Sequence, residues 1–252
     1  MANLYYREDL AASDFAVGAV LEVGGDEAHH AVRVSRLRVG EQILLGNGSG
    51  SVGLGEVTLA EKQRFAVRLI EARAEPLPEP RIVLVQALAK GDRDERAVEQ
   101  ATEFGVDAIV PWGAARSVSR WSAGEKSDRG VAKWQRIARE AAKQSLRSRV
   151  PEVRQPVVLS ELAALAARDD AAVLVLHPRG AATLSAWAAT GLSPGLRELV
   201  IVIGPEGGID DAELDALRAA GAEVLVLGAT VLRTSSAGPA GIAVLNAALG
   251  RW

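Results

Sequence analysis

The residues best able to do chemistry fall in three short runs, each following an apolar stretch. Ile201-Val202-Ile203-Gly204-Pro205-Glu206-Gly207-Gly208-Ile209-Asp210-Asp211 has the pattern of a buried strand that ends in glycines and opens into a capped helix. Glycines let a backbone approach a ligand closely and take positive φ, and amides at a helix start can bind an acceptor. The spacing is neither the dinucleotide G-x-G-x-x-G nor a phosphate loop with its Lys-Ser/Thr pair. By itself, a glycine-rich strand-to-helix turn is as often structural as functional. Leu227-Gly228-Ala229-Thr230-Val231-Leu232-Arg233-Thr234-Ser235-Ser236-Ala237-Gly238 repeats the arrangement: strand, glycine, polar loop, C-terminal helix. Leu176-His177-Pro178-Arg179-Gly180 follows a third apolar run. Loops at neighbouring strand ends converge on one crevice, where open α/β sheets bind ligands. A lone histidine there is more often structural than catalytic, but its near-neutral titration leaves proton chemistry open.

The elements that must position these loops follow from periodicity. Ile82 to Leu88, Ala108 to Pro111, Ala172 to Leu176, Leu199 to Ile203 and Glu223 to Leu227 are short apolar runs, as expected for parallel strands buried on both faces. Helices fit Asp92 to Phe104, Glu125 to Leu146, Leu159 to Ala167, Asp210 to Ala220 and Gly238 to Leu249. This β/α alternation predicts an open, mainly parallel sheet in an α/β domain. Before it, Val17 to Val23, Gln42 to Leu45, Gly53 to Leu59 and Phe65 to Glu71 read as strands of a small β-barrel, with one short helix capped by Asp26. Three prolines in Glu75 to Pro80 fix φ and remove amide donors, so they mark a linker. The expected organisation is a β-barrel over 1–75, a linker over 76–80 and an α/β domain over 81–252.

Composition narrows the classes. The 252-residue chain is 48% hydrophobic and only 4% aromatic, so its core is built from small aliphatic side chains. It has no cysteine, which excludes disulfides, thiolate metal sites and a cysteine nucleophile. No run reaches the roughly 18 apolar residues of a membrane span, and the first residues lack the apolar core of a signal peptide, so a cytoplasmic protein with no membrane partner is expected. The net charge is −3, but its distribution is uneven. Arg116 to Arg154 holds 11 basic and 4 acidic residues, whereas Gln155 to Trp252 holds 6 and 10. On the helix from Glu125, Val131, Trp134, Ala138, Ala141 and Ser145 form a buried stripe, and Arg129, Lys133, Arg136, Lys143 and Arg147 lie largely away from it. Such a basic face suits an RNA backbone, and equally a solvated helix.

The motifs resemble one family along most of the chain. The GPEGG-I-x-x-x-E run (Gly204 to Glu213), LG-x-x-x-LRT (Leu227 to Thr234) and the Ala/Gly/Leu helix that follows look like the cofactor-binding signature of the ribosomal RNA small subunit methyltransferase E family. Lys90-Gly91-Asp92, Glu99 to Val106, Arg116-Ser117 and Glu140 to Ser145 are similar to its K-G-D, E-K-A-T-E-L-G-V, R-S and E-A-x-x-Q-S motifs. His30 to Glu41 is similar to the H-L-x-x-V-L-R-x-x-x-G-D of its PUA-like domain.

The resemblance implies a PUA-like RNA-binding barrel and a C-terminal SPOUT domain threaded into a deep trefoil knot, which no pattern argument would yield. It implies S-adenosyl-L-methionine as cofactor, 16S ribosomal RNA or the small subunit as partner, methylation of a uridine N3, and a homodimer through the SPOUT domain. By position it places Leu176, His177, Gly204, Glu206, Gly207, Leu227, Gly228, Leu232 and Ser235 around the cofactor. Arg233 is the expected catalytic residue, through stabilisation of the developing anion, and no metal or covalent nucleophile is needed. Arg7, His30, Arg36, Arg116, Arg136 and Lys143 are the expected RNA contacts. Arg36 and His30 each also fit an ordinary surface or packed side chain, and the general base is unassigned. One departure from the family is Ser235, where LR-x-E-T-A has an acid; its hydroxyl is expected to cap the following helix. The departure motivates a second reading, a noncatalytic RNA-binding or assembly factor on this scaffold. A third, a nucleotide-dependent α/β enzyme, is weakened by the missing phosphate loop.

Overall fold

The structure is a computed structural model that describes residues 3–252, and it divides into two compact units. The first comprises Met1–Leu77 and Ala142–Val150; the second comprises Pro78–Ala141 and Pro151–Trp252. Residues 142–150 thus pack with the N-terminal part of the chain, although they lie inside the 81–252 span.

In the first unit, β1 (Leu4–Tyr6), β2 (Val20–Gly24), β3 (Gln42–Gly46), β4 (Ser51–Glu61) and β5 (Arg64–Ala74) form one sheet in the order β1-β3-β4-β5-β2. The expected barrel is this curled five-stranded sheet. β4 and β5 pair antiparallel with register shifts at Leu54/Gly55 and Val57/Leu59, and such bulges increase local twist. A Cβ on Gly55 would come within 2.4 Å of Val67 on β5, so only glycine permits this approach. The sheet closes over Tyr5, Ile43, Leu45, Val57, Phe65, Val67 and Leu69, with Tyr5 and Phe65 edge to face at 5.4 Å. The short helix α1 (Gly25–His29) is capped by Gly24 and not by Asp26, which lies in its first turn where a carboxylate favours the helix dipole. A π-turn over His30–Val34 follows, and Arg36 beyond it has φ +55°.

The second unit has seven strands, all paired in parallel: β6 (Arg81–Ala87), β7 (Ala108–Trp112), β8 (Glu152–Val153), β9 (Ala171–Leu176), β10 (Ala182–Thr183), β11 (Glu198–Ile203) and β12 (Glu223–Val226). Their order is β10-β12-β9-β11-β6-β7-β8. The helices are α2 (Arg93–Glu103), α3 (Glu125–Gln144), α4 (Leu159–Ala166), α5 (Leu184–Gly191), α6 (Asp211–Ala219) and α7 (Thr234–Ala248). Strand residues alternate between two cores, as a period of two requires. Ile82, Leu84, Ile201 and Ile203 pack with α2, α3, α5 and α7 through Val98, Trp134, Leu184 and Ile242. Val83, Val85, Val200 and Val202 pack with α4 and α6 through Leu162, Leu214 and Leu217. The result is a three-layer α/β/α domain. Gly238 and Gly241 bring α7 close to the sheet: a Cβ at either position would come to about 3 Å from Leu84 or Leu176.

Candidate functional site

The sheet order places β9, β11 and β12 side by side near the centre, where both faces are covered and their carboxyl ends face one crevice. The loop after β11 is shaped locally. Asp210 caps α6 by accepting the Ala212 amide at 3.0 Å, and Glu213 reaches back to the Asp210 amide at 3.2 Å, which closes a capping box. The same buried Glu213 accepts the Ala115 amide at 2.7 Å, so the family-like Glu ties this loop to the segment after β7. Gly208 turns the chain with φ +75°. At Gly204 a Cβ would meet Ile209 Cγ1 at 2.7 Å, so the loop folds back on itself only without a side chain there.

The loop after β12 is joined to it by a buried relay. Gln86, fully buried on β6, donates through Nε2 to Thr234 Oγ1 at 2.9 Å, and Thr234 Oγ1 donates to the Gly204 carbonyl at 2.8 Å. The first turn of α7 and the glycine loop are thereby held in one arrangement. Nothing in periodicity marks Gln86 except that it is a lone polar residue in an apolar run, and its partner lies 148 residues away.

These loops enclose a cavity of about 570 Å³ lined by Leu176, His177, Ile203, Gly204, Glu206, Gly207, Leu232, Arg233, Thr234 and Ala237, among others. An adjoining cavity of about 140 Å³ shares Leu176, His177 and Leu232 and adds Leu227 and Gly228. The larger volume falls within the roughly 300–1,000 Å³ of small-molecule clefts. Its walls combine aliphatic side chains with glycine backbone and two cations, Arg93 and Arg233. Eight of the expected cofactor residues therefore line one or other cavity, as does Arg233. Ser235 lines neither. It sits inside α7, which starts at Thr234 rather than Gly238 and is capped by Arg233, so its hydroxyl does not cap the helix.

Electrostatics distinguish the lining groups. Glu206 accepts Arg93 Nη1 at 2.6 Å and the Lys90 amide at 3.1 Å. Burial works against its charge, but the Arg93 hydrogen bond and the backbone amides outweigh it and hold the carboxyl below the ordinary range. His177 is held below its ordinary 6.5, first by burial and then by Arg179 and Arg218. Its Nδ1 accepts the Arg179 amide at 3.2 Å, which leaves the proton of the neutral ring on Nε2. A base whose folded pKa is depressed is protonated first in the unfolded chain. Its contribution to stability is therefore present above pH 6.5 and is lost as the pH falls below that value toward the folded pKa.

The expected RNA contacts are spread over both units. In the first, Arg7 pairs with Asp9 at 3.2 Å and donates to the Glu22 carbonyl, and His30 and Arg36 are exposed. Lys143 departs from the exposed face expected of it: its side chain is 7% exposed and pairs with Glu27 at 3.0 Å. Helical spacing alone could not show this, because the carboxylate that draws it in lies far away in sequence. In the second unit Arg116 pairs with Asp210 at 3.1 Å, and Arg136 is exposed on α3. No helix is long and apolar enough to cross a membrane, and no cluster among the described residues could hold a metal ion.

The fold and cavity define a two-domain RNA methyltransferase scaffold. The family model for an RNA methyltransferase domain matches residues 75–246, and that for an RNA methyltransferase PUA domain matches residues 23–70. The chain belongs to the ribosomal RNA small subunit methyltransferase E family. It is 39% identical over 256 residues to the family member of Mycobacterium bovis, covering 100% of this chain and 94% of that one. The Bacillus subtilis member is 31% identical over 235 residues, covering 92% and 91%. Among solved structures, the Neisseria gonorrhoeae methyltransferase E bound to S-adenosyl methionine superposes with a TM-score of 0.83 at 25% identity, covering 98% of each chain. A putative methyltransferase from Legionella pneumophila with bound S-adenosylmethionine gives 0.82 at 29%, again over 98% of each.

Proposed function

We propose that this chain methylates N3 of a uridine in 16S ribosomal RNA, using S-adenosyl-L-methionine. The observation that carries the reading is the cavity at the ends of β9, β11 and β12, whose lining residues fit an adenosine-bearing cofactor. Leu176, Ile203, Leu232 and Ala237 offer apolar surface, and Gly204 and Gly207 offer accessible backbone. Leu227 and Gly228 extend the same wall. The bound cofactor supplies an electrophilic methyl group on a cationic sulfonium. Relatives named as ribosomal RNA small subunit methyltransferases and solved relatives holding this cofactor support the reading.

The chain's own residues then have defined tasks. Uracil N3 carries a proton at neutral pH, so methylation there requires a ring with anionic character. Arg233 lines the cavity, and its guanidinium favours that charge while the cavity walls fix the approach. Neutral His177 adds no further positive charge to a site that takes a cation and in which Glu206 already offsets Arg93. Arg7, His30, Arg36, Arg116 and Arg136 position the RNA, and Lys143 acts by holding the first unit together through Glu27. The class further implies a knotted SPOUT topology, a homodimer and a cytoplasmic location. The eight other expected cofactor residues line the cavities without Ser235, which favours the enzyme over the noncatalytic RNA-binding factor.

Purified protein is expected to transfer labelled methyl to small-subunit RNA or particles from a strain lacking the modification, with all label recovered as N3-methyluridine. Absence of label in any RNA, or label on another atom, would refute the reading. A second expectation concerns pH. Cofactor affinity should hold down to pH 6.5 and fall as the pH is lowered further toward the depressed pKa of His177, because the protonated ring repels the sulfonium, and His177→Gln should flatten that profile. An unchanged profile in the variant would show that another group is responsible.

A further inference from the structure

A further cavity, of about 370 Å³, lies between the approach to α2, the segment after β7 and α3. It is lined by Lys90, Gly91 and Asp94 from the start of α2, Ser119 and Trp121 from the segment after β7, and Lys133 from α3. Nothing in the proposed chemistry uses it, and it takes in Lys90 and Gly91 of the Lys90-Gly91-Asp92 motif. One hydrogen bond links its lining to that of the cofactor cavity: the Lys90 amide donates to Glu206, which also pairs with Arg93 of the larger cavity at 2.6 Å.

Trp121 is the feature that requires an account. Its six-membered ring lies against Gly130 of α3, where a Cβ would come to 2.6 Å, and it meets Trp134 edge to face at 5.2 Å. The indole is thus clamped on two sides yet remains half-exposed at the cavity. An aromatic ring fixed in advance loses little entropy when a flat ligand stacks on it. Of the two lysines, Lys133 pairs with Glu95, whereas the exposed Lys90 ammonium has no ion pair among the described residues. A fixed indole, an uncommitted cation and the Ser119 hydroxyl match the parts of a nucleotide: base, phosphate and base edge, while the buried Asp94 carboxylate holds the cavity floor by accepting the Ala89 and Glu95 amides.

We infer that this cavity holds one unpaired nucleotide of the RNA substrate, adjacent to the methylated one, with its base against Trp121 and its phosphate at Lys90. This rests on RNA being the substrate.

The test uses the 252-residue chain saturated with S-adenosylhomocysteine, a single-stranded RNA oligonucleotide spanning the modified uridine, and intact small-subunit RNA. Trp121→Ala is expected to weaken RNA binding about tenfold, the size of one lost base stack, and Trp121→Phe to recover most of it. Lys90→Ala keeps the backbone amide and should lower the slope of log affinity against log salt by about 0.7, one phosphate contact on a single strand. S-adenosylhomocysteine affinity should stay within about twofold of wild type. Wild-type RNA affinity in Trp121→Ala and Lys90→Ala would overturn the subsite while leaving the methyltransferase reading intact. Failure of the wild-type protein to bind any RNA would overturn both. If Trp121→Ala fails to fold, the exposed Lys90→Ala decides the matter: an unchanged salt slope and wild-type RNA affinity in that variant overturn the subsite.

Discussion

Gly204→Val should abolish measurable S-adenosylhomocysteine binding, a loss of at least about a hundredfold, or some 2.7 kcal/mol. The reason lies in the fold of the glycine loop. A Cβ at this position meets Ile209 Cγ1 at 2.7 Å and the Ile209 amide nitrogen at 3.2 Å, and Ile209 is itself buried in the α4/α6 core. Neither neighbour can retreat without moving the start of α6, so the loop must shift into the cavity it lines. Gly204→Ala should give a smaller loss in the same direction. Calorimetric titration checks both, with far-UV circular dichroism showing that the sheet is retained. Full affinity in a folded Gly204→Val protein would place the cofactor elsewhere.

Thr234→Val is expected to lower stability by about 2–4 kcal/mol, since it leaves the buried Gln86 amide and the part-buried Gly204 carbonyl each short of a partner. The substitution conserves shape but removes the hydroxyl that receives Gln86 Nε2 and donates to the Gly204 carbonyl. Gln86 keeps its bond to the Ala87 carbonyl but loses its link across the site. The melting transition should fall by about 5–15 °C, and cofactor affinity should drop because the α7 turn and the glycine loop are no longer tied. Thr234→Ser retains the hydroxyl and should remain near wild type. Equal melting of the Val and Ser variants would show that the relay contributes nothing.

Both variants probe features that the sequence reveals to different degrees. The glycine loop after Ile203 is legible because a fully buried strand, a glycine cluster and an Asp-x-x-Glu cap occur in immediate succession. The start of α7 is not. Arg-Thr-Ser-Ser-Ala-Gly reads as a loop, since Ser and Thr compete with helix formation by local hydrogen bonds. Here Thr234 is committed instead to Gln86 and Gly204, and Gly238 lets the helix lie against Leu84, so tertiary contacts extend the helix back by a turn. Helix α5 escapes pattern reading for another reason: Leu-Ser-Ala-Trp-Ala-Ala-Thr-Gly has little amphipathic contrast, and its start depends on Thr183 capping the Ala186 amide at 3.1 Å. The two-residue strands β8 and β10 are too short for any periodicity. Lys143 shows the limit of helical-wheel reasoning, because what buries it is Glu27, not its own helix.

The site shows the same division. His177, Gly204, Glu206 and Leu232 lie in the three loops that the strand-end pattern singles out, and the family resemblance is what assigns each of them to the cofactor. Gln86 and Arg93 were not identifiable, because each acts through a partner more than a hundred residues away.

The most direct measurement is a calorimetric titration of the wild-type chain with S-adenosylhomocysteine, run beside ATP and a nicotinamide dinucleotide. One mole of the thioether bound per mole of chain, with no heat from the two nucleotides, is the result expected of a cradle built by these strand ends. Silence with the thioether, or saturable heat from either nucleotide in its place, would contradict it.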